Sequence, residues 1–266
     1  MTDICFYPYT DASANGMADA SADRRRIAYR HHPGAGPNLG PTLVFLPGYM
    51  SDMDGGKATT VFNRAVETGQ GCLLLDYSGC GTSDGDFADG SLSRWRNEVV
   101  ALIDALVDGP VVVIGSSMGG WLMLLVAQAL GDRLAGIIGI AAAPDFSNWG
   151  YSDAQKALLA NGETVLEDNP YGPEPTPTHA RFWQDAQTHC LLDRPIALDA
   201  PVRLLHGQCD ADVPWNISMK LAEQLRSDDV QVTLVKDGDH RLSRPEDIEL
   251  LLRTVWSVLE TRKAEA

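Results

Sequence analysis

Two stretches of the chain fit the pattern Gly-x-Ser-x-Gly, GTSDG at 81–85 and GSSMG at 115–119, and either could present a nucleophilic serine. The chemistry asks for a sharp strand-to-helix turn that lifts the Ser Oγ clear of the sheet. Small residues two before and two after the serine permit that strained backbone and close packing around it. GSSMG follows VVVI without a spacer and runs straight into GWLMLLVAQAL, a strongly apolar helix. GTSDG follows its strand only after YSGC and leads into DFADGS, a polar, turn-rich loop. These surroundings make Ser117 the nucleophile and leave Ser83 in a Gly-rich loop, while Ser116 is out of register with both glycines.

A serine hydroxyl is a poor nucleophile at neutral pH and needs an adjacent base. Of the six histidines, His31 and His32 precede a presumed strand and His179 and His189 fall in an irregular stretch. His206 opens a His-Gly turn, where backbone support is the favoured reading. His240, in DGDHR just past the last apolar strand, fits the order nucleophile, acid, histidine that accompanies a serine elbow. The acid must lie between them, and LLHGQCDADVPW offers Asp210 and Asp212. Asp210 sits where the turn should reach over the sheet edge, whereas Asp212 precedes Val-Pro and suits a helix cap. Asp237 and Asp239 read as loop formers. Two backbone donors are needed for the tetrahedral intermediate: the N–H of Met118, at a helix N-terminus, and that of Tyr49 in LPGYMSD, where Gly48 lets the chain turn. This chemistry needs neither metal nor organic cofactor.

The elements that must hold these residues alternate. Short aliphatic runs at Ile4–Tyr9, Arg26–Arg30, Thr42–Leu46, Cys72–Asp76, Val111–Gly115, Gly136–Ala141, Val202–His206 and Gln231–Lys236 read as eight strands. From residue 42 onward they are almost wholly apolar, as strands buried on both faces require. Amphipathic stretches lie between them. Ser91–Val107 carries Leu92, Trp95, Val99, Leu102, Ile103 and Leu106 on one stripe, and Pro245–Leu259 repeats the pattern. The fold class is therefore α/β, a mostly parallel eight-stranded sheet with helices on both faces. Residues 145–195 interrupt the alternation with helices expected at Ser152–Ala160 and Pro177–Leu192, and no strand. They read as a small cap inserted after the sixth strand into a core of residues 1–144 and 196–266. Trp149, Tyr151, Phe182 and Trp183 of the cap, with Leu122, are candidates for the substrate-binding wall.

A net charge of −15 argues against nucleic acid or an anionic membrane as partner, and no apolar run approaches a membrane span. Five scattered cysteines without CxxC spacing, and a first 35 residues with Asp3, Asp11, Asp19 and Asp23 but no apolar core, lead to the expectation of a reduced, cytoplasmic protein.

Taken together, PGYMSDMDGGKA, DYSGCGTSDG, GSSMGGWLML, THCLL, RLLHGQCDADVPW and the late DH resemble the acyl-protein thioesterase branch of the α/β hydrolases, over residues 43–259. The resemblance implies the α/β-hydrolase fold, with Ser117 as nucleophile, Asp210 as acid and His240 as base, and so favours Asp210 over Asp212. It also implies cleavage of S-acyl or O-acyl bonds, with a small acyl ester or thioester, or an S-acylated protein, as substrate. Carbon–carbon bond hydrolysis, peptide hydrolysis and a non-catalytic binding role are the rival readings. A serine at the elbow argues against the dehalogenase and epoxide hydrolase chemistries, which use aspartate there.

Overall fold

The computed structural model describes residues 3–10, 24–35, 40–170 and 172–265. In chain order its elements are β1 (Cys5–Thr10), β2 (Arg24–His32), β3 (Thr42–Leu46), α1 (Gly56–Thr68), β4 (Cys72–Leu75), α2 (Leu92–Leu106), β5 (Val111–Ser116) and α3 (Met118–Leu130). There follow β6 (Leu134–Ile140), α4 (Phe146–Trp149), α5 (Asp153–Ala160), β7 (Val165–Glu167), β8 (Thr176–Thr178), α6 (Ala180–Gln187), β9 (Val202–Gly207), α7 (Asn216–Gln224), β10 (Val230–Val235) and α8 (Pro245–Glu265).

Near-continuous apolar runs become strands whose alternate residues enter two different cores. Val44 and Leu46 of β3, Leu73 and Leu75 of β4, and Val111 and Val113 of β5 face one side, with Trp95, Val99 and Leu102 of α2 and Trp121 and Leu125 of α3. Leu43 and Phe45, Cys72 and Leu74, and Val112 and Ile114 face the other, against Val61 and Phe62 of α1 and Leu251, Val255 and Val258 of α8. The sheet order is β1-β2-β4-β3-β5-β6-β9-β10, parallel except where β2 pairs antiparallel with β1 and β4. Helix entries follow local chemistry: the Ser91 hydroxyl accepts the Arg94 N–H at 3.2 Å to cap α2, and Pro245 opens α8. All eight expected strands are present in this one sheet, and parallel pairing brings the carboxyl ends of β3, β5, β6, β9 and β10 to one edge.

The segment between β6 and β9 departs from expectation in two ways. It contains a short antiparallel hairpin, Val165–Glu167 with Thr176–Thr178, where no strand was expected. The second expected helix is also shorter: α6 begins only at Ala180, because Pro177 pairs opposite Leu166 within the hairpin. Three-residue strands carry too little periodicity to be read, and a proline is tolerated there because a two-stranded ribbon leaves its missing N–H on an open side. Asp145 fastens the segment at its root. Its buried carboxylate accepts the Leu191 N–H at 2.8 and 3.0 Å and the Leu192 N–H at 2.8 Å, tying the first residues of the insertion to its last. Trp121 Nε1 donates to the His189 carbonyl at 3.0 Å, and Ser93 N donates to Asp185 at 2.9 Å.

Candidate active site

The turn from β5 to α3 puts Ser117 at φ +55°, ψ −122°, a conformation that L residues rarely adopt. Backbone bonds lock it there: its N–H donates to the Ile140 carbonyl at 2.9 Å, and its carbonyl accepts from Gly120 at 2.8 Å and Ala143 at 3.0 Å. The flanking glycines are required by space. A Cβ on Gly119 would lie 2.2 Å from the Leu46 carbonyl oxygen, and one on Gly115 only 2.3 Å from the Gly119 carbonyl oxygen. The other motif serves a different purpose. The Ser83 hydroxyl donates to the Asp76 carbonyl at 2.7 Å and accepts the Ala28 N–H at 2.8 Å, so it stitches a loop to β2.

From Ser117 a continuous chain of hydrogen bonds runs outward. Ser117 Oγ lies 3.0 Å from His240 Nε2, and His240 Nδ1 lies 2.9 Å from Asp210 Oδ2. With Nδ1 facing a carboxylate, the ring proton sits on Nδ1 and Nε2 is free to accept from the serine. The Asp210 side chain has no exposed surface. Burial alone would raise its pKa, but hydrogen bonding to His206 and His240 and the Val213 amide outweighs that and holds it well below the usual carboxylate range. Its Oδ1 accepts the Asp212 and Val213 N–H groups at 2.9 and 2.8 Å, so Asp210 forms the turn as well as meeting the histidine. The Asp212 backbone N–H serves the turn. Donor atoms of Asp210, Asp212 and His240 lie within 4.8 Å of one another, a closeness that this turn and the Asp210–His240 bond account for.

The loops carrying Asp210 and His240 are built against each other. A Cβ on Gly207 would lie 2.2 Å from the Gly238 carbonyl oxygen, which also accepts the Cys209 N–H at 2.9 Å. Asp239 caps the turn after His240 by accepting the Leu242 N–H at 2.9 Å, and Asp237 pairs with Arg244 at 2.8 Å, both as loop formers.

On the other flank, the loop after β3 lies against the serine: a Cβ on Gly48 would sit 3.4 Å from that of Ser117. Tyr77 OH donates to the Pro47 carbonyl at 3.0 Å and steadies this loop from below. Met50, next to Tyr49, adopts φ +55°. Met118 opens α3, where a backbone N–H has no intrahelical acceptor and meets the positive end of the helix dipole. Tyr49 itself reaches into the insertion. Its hydroxyl, kept protonated by burial, donates to the Pro177 carbonyl at 3.0 Å, and its ring lies 4.9 Å from both Phe87 and Phe182.

Of the candidate wall residues, Leu122 and Phe182 are buried in the main core. Tyr151 packs with Leu159 and Val165 in a small core of the insertion, with Trp183 against it. Trp149 is half-buried and donates to the Pro144 carbonyl at 2.9 Å. Phe182 packs against the Tyr49 ring, in the loop that lies against the serine, and Leu122 follows Met118 by one turn of α3.

Residues 43–249 match a family model described as the alpha/beta hydrolase family. The chain belongs to the α/β hydrolases. Within that family it is 36% identical over 247 residues to the human protein named palmitoyl-protein thioesterase ABHD10, mitochondrial, covering 90% of this chain and 78% of that one. Among solved structures it is similar to a putative hydrolase from Agrobacterium vitis S4 (TM-score 0.87, 36% identity, 97% and 99% of the two chains). It is also similar to mouse alpha/beta hydrolase domain-containing protein 10 (TM-score 0.82, 33% identity, 97% and 99%). These relatives overturn the expected cytoplasmic placement, since the human, Pongo abelii and mouse proteins are all named mitochondrial. Residues Cys5–Thr10 form the edge strand β1. Asp11, Asp19 and Asp23, on which that expectation leaned, lie outside the described residues.

Proposed function

We propose that this α/β hydrolase cleaves carboxylic esters and thioesters through an acyl-enzyme on Ser117. The reading is carried by the unbroken Asp210–His240–Ser117 contact chain at 2.9 and 3.0 Å. His240 Nε2 takes the Oγ proton as Ser117 attacks the acyl carbonyl. Asp210 stays ionised and stabilises the imidazolium that forms. The Tyr49 and Met118 N–H groups receive the oxyanion, each such donor being worth about 10²–10³ in rate. The alcohol leaves with the proton from His240, whereas a thiol of lower pKa needs less assistance. Water then repeats the sequence on the acyl-enzyme.

Residues 145–195 act as a cap on the core formed by 1–144 and 196–266, with Phe182 in the acyl wall. The acyl donor is a small ester or thioester, or an S-acylated protein, in keeping with relatives named palmitoyl-protein thioesterase. The test sets p-nitrophenyl esters of rising chain length beside an S-acyl substrate and a peptidase substrate. It also includes fluorophosphonate labelling of the parent and Ser117→Ala. Turnover of the acyl substrates with labelling confined to the parent is expected. Robust peptide cleavage with negligible ester and thioester turnover would refute the proposal, as would equal behaviour of parent and Ser117→Ala.

A further inference from the structure

One buried histidine has no part in the proton transfers just described. His206, at the end of β9, has no exposed surface, and its side chain turns toward the acid loop. Its Nε2 lies 3.0 Å from the Val213 carbonyl oxygen and 3.2 Å from Asp210 Oδ2. Both neighbours are acceptors only, so Nε2 carries a proton and divides it between them. Nδ1 lies 2.7 Å from Ser218 Oγ, on α7, and in the neutral ring accepts from that hydroxyl. The oxygen that His206 approaches is the same Oδ2 that accepts from His240 Nδ1, while Oδ1 takes the two amides of the turn. The carboxylate thus stands among four donors, and one of its oxygens lies between two imidazoles.

We infer that His206 is a positioning residue for the acid, a second imidazole that shares Asp210 Oδ2 with His240 and thereby sets how strongly Asp210 acts on the base. The inference rests on the triad reading given above. Geometry supplies two effects. The Nε2 proton, bridging Val213 and Asp210, fixes the side-chain angle at which Oδ2 meets His240. It also takes up part of the negative charge on that oxygen, so His240 faces a weaker counter-charge than a bare carboxylate would give. Ser218 acts through the ring by holding its tautomer and orientation. The titratable groups around the Asp210 carboxylate are these two imidazoles and the Asp212 carboxylate, which lies within 4.8 Å of Asp210 and His240 and is common to the parent and every variant compared below. Asp212 contributes its backbone N–H, and the Asp239 carboxylate is turned to the Leu242 amide.

Removing the second imidazole leaves the charge of Asp210 concentrated on His240. The protonated base is then favoured, and the acid limb of kcat/KM moves to higher pH. The test compares pH profiles of kcat/KM on a p-nitrophenyl ester for the parent, His206→Leu, His206→Gln, Ser218→Ala and Ser117→Ala. His206→Leu is expected to lose about tenfold or more at neutral pH, with its acid limb raised by roughly half a pH unit. The glutamine amide can donate from nearly the place of Nε2, so His206→Gln is expected to restore most of the rate and return the limb. A folded His206→Leu whose profile has the parent's shape, however slow, would overturn the inference, because a merely structural role lowers rate without moving the limb. If His206→Leu does not fold, Ser218→Ala decides: a smaller shift in the same direction supports the inference, and an unmoved limb overturns it. Turnover surviving in Ser117→Ala would instead refute the triad, an outcome separable from either result at His206.

Discussion

Asp145 offers a sharp test of what holds the insertion onto the sheet. Its carboxylate satisfies two buried amides, Leu191 and Leu192, with three contacts of 2.8–3.0 Å, and its backbone takes φ +59°. In Asp145→Ala both amides lose their acceptor, at about 1–3 kcal/mol each, and alanine at positive φ costs about 1 kcal/mol more. Relief of the buried carboxylate's desolvation offsets part of this, since burial raises the Asp145 pKa despite the two amides. A net loss of about 3 kcal/mol follows, or about 6–12 °C in melting temperature for a domain of this size. Asp145→Asn should differ. Oδ2 is within 3.0 Å of both amides. One amide oxygen placed there keeps both bonds, tolerates positive φ and sheds the charge, so the expected cost is within about 1 kcal/mol. The sign with pH follows from the raised pKa. The fold favours the protonated acid, so the parent's stability relative to Asp145→Asn is greatest at low pH and falls as pH rises through the folded-state pKa. Thermal unfolding by circular dichroism at several pH values measures all three quantities. An Asp145→Ala melting point within about 1–2 °C of the parent, or a loss in Asp145→Asn as large as that in Asp145→Ala, would refute the reasoning.

Ser117→Gly should be inactive yet more stable than the parent by about 1 kcal/mol, since glycine relieves the φ +55° strain; denaturant midpoints check this, and a lower midpoint would count against elbow strain. Asp210→Asn should lose about 10⁴ in kcat while Asp212→Asn stays within a few-fold, a steady-state comparison that separates the two acids. The stability that Asp210 gives through its depressed pKa should be present at neutral pH and vanish as pH falls below the ordinary carboxylate range, so parent and Asp210→Asn unfolding curves converge in acid. Ser83→Ala should cost about 1–2 kcal/mol through its two hydrogen bonds and leave kcat untouched.

Much of this architecture can be read from the chain. Apolar runs such as VVVIG and CLLL have no residue that water would accept, so they must be central strands. The glycines of GSSMG then announce an elbow because their neighbours leave no room for a Cβ. Ser83 could be set aside for the same reason inverted: its glycines serve a polar loop. What stays hidden depends on partners distant in sequence. Glu98 lies on the apolar stripe of α2, and its burial is met by Arg25 of β2 at 2.7 Å on one oxygen and the Ser78 N–H at 3.0 Å on the other. His206 reads as turn support until Ser218 and Asp210 are seen around it. Asp145 gains meaning from amides 46 and 47 positions later. The β7–β8 hairpin escapes because its six residues show no period at all.

Tyr49 lives in two neighbourhoods, with its ring and hydroxyl among Phe182 and Pro177 of the insertion and its backbone in the loop that Gly48 lays against Ser117. Grafting another relative's insertion onto this sheet would therefore exchange more than the insertion's own surface. It would also reset the footing of the loop beside Ser117, so under the proposed function substrate range and turnover rate would change together and could not be engineered as independent modules.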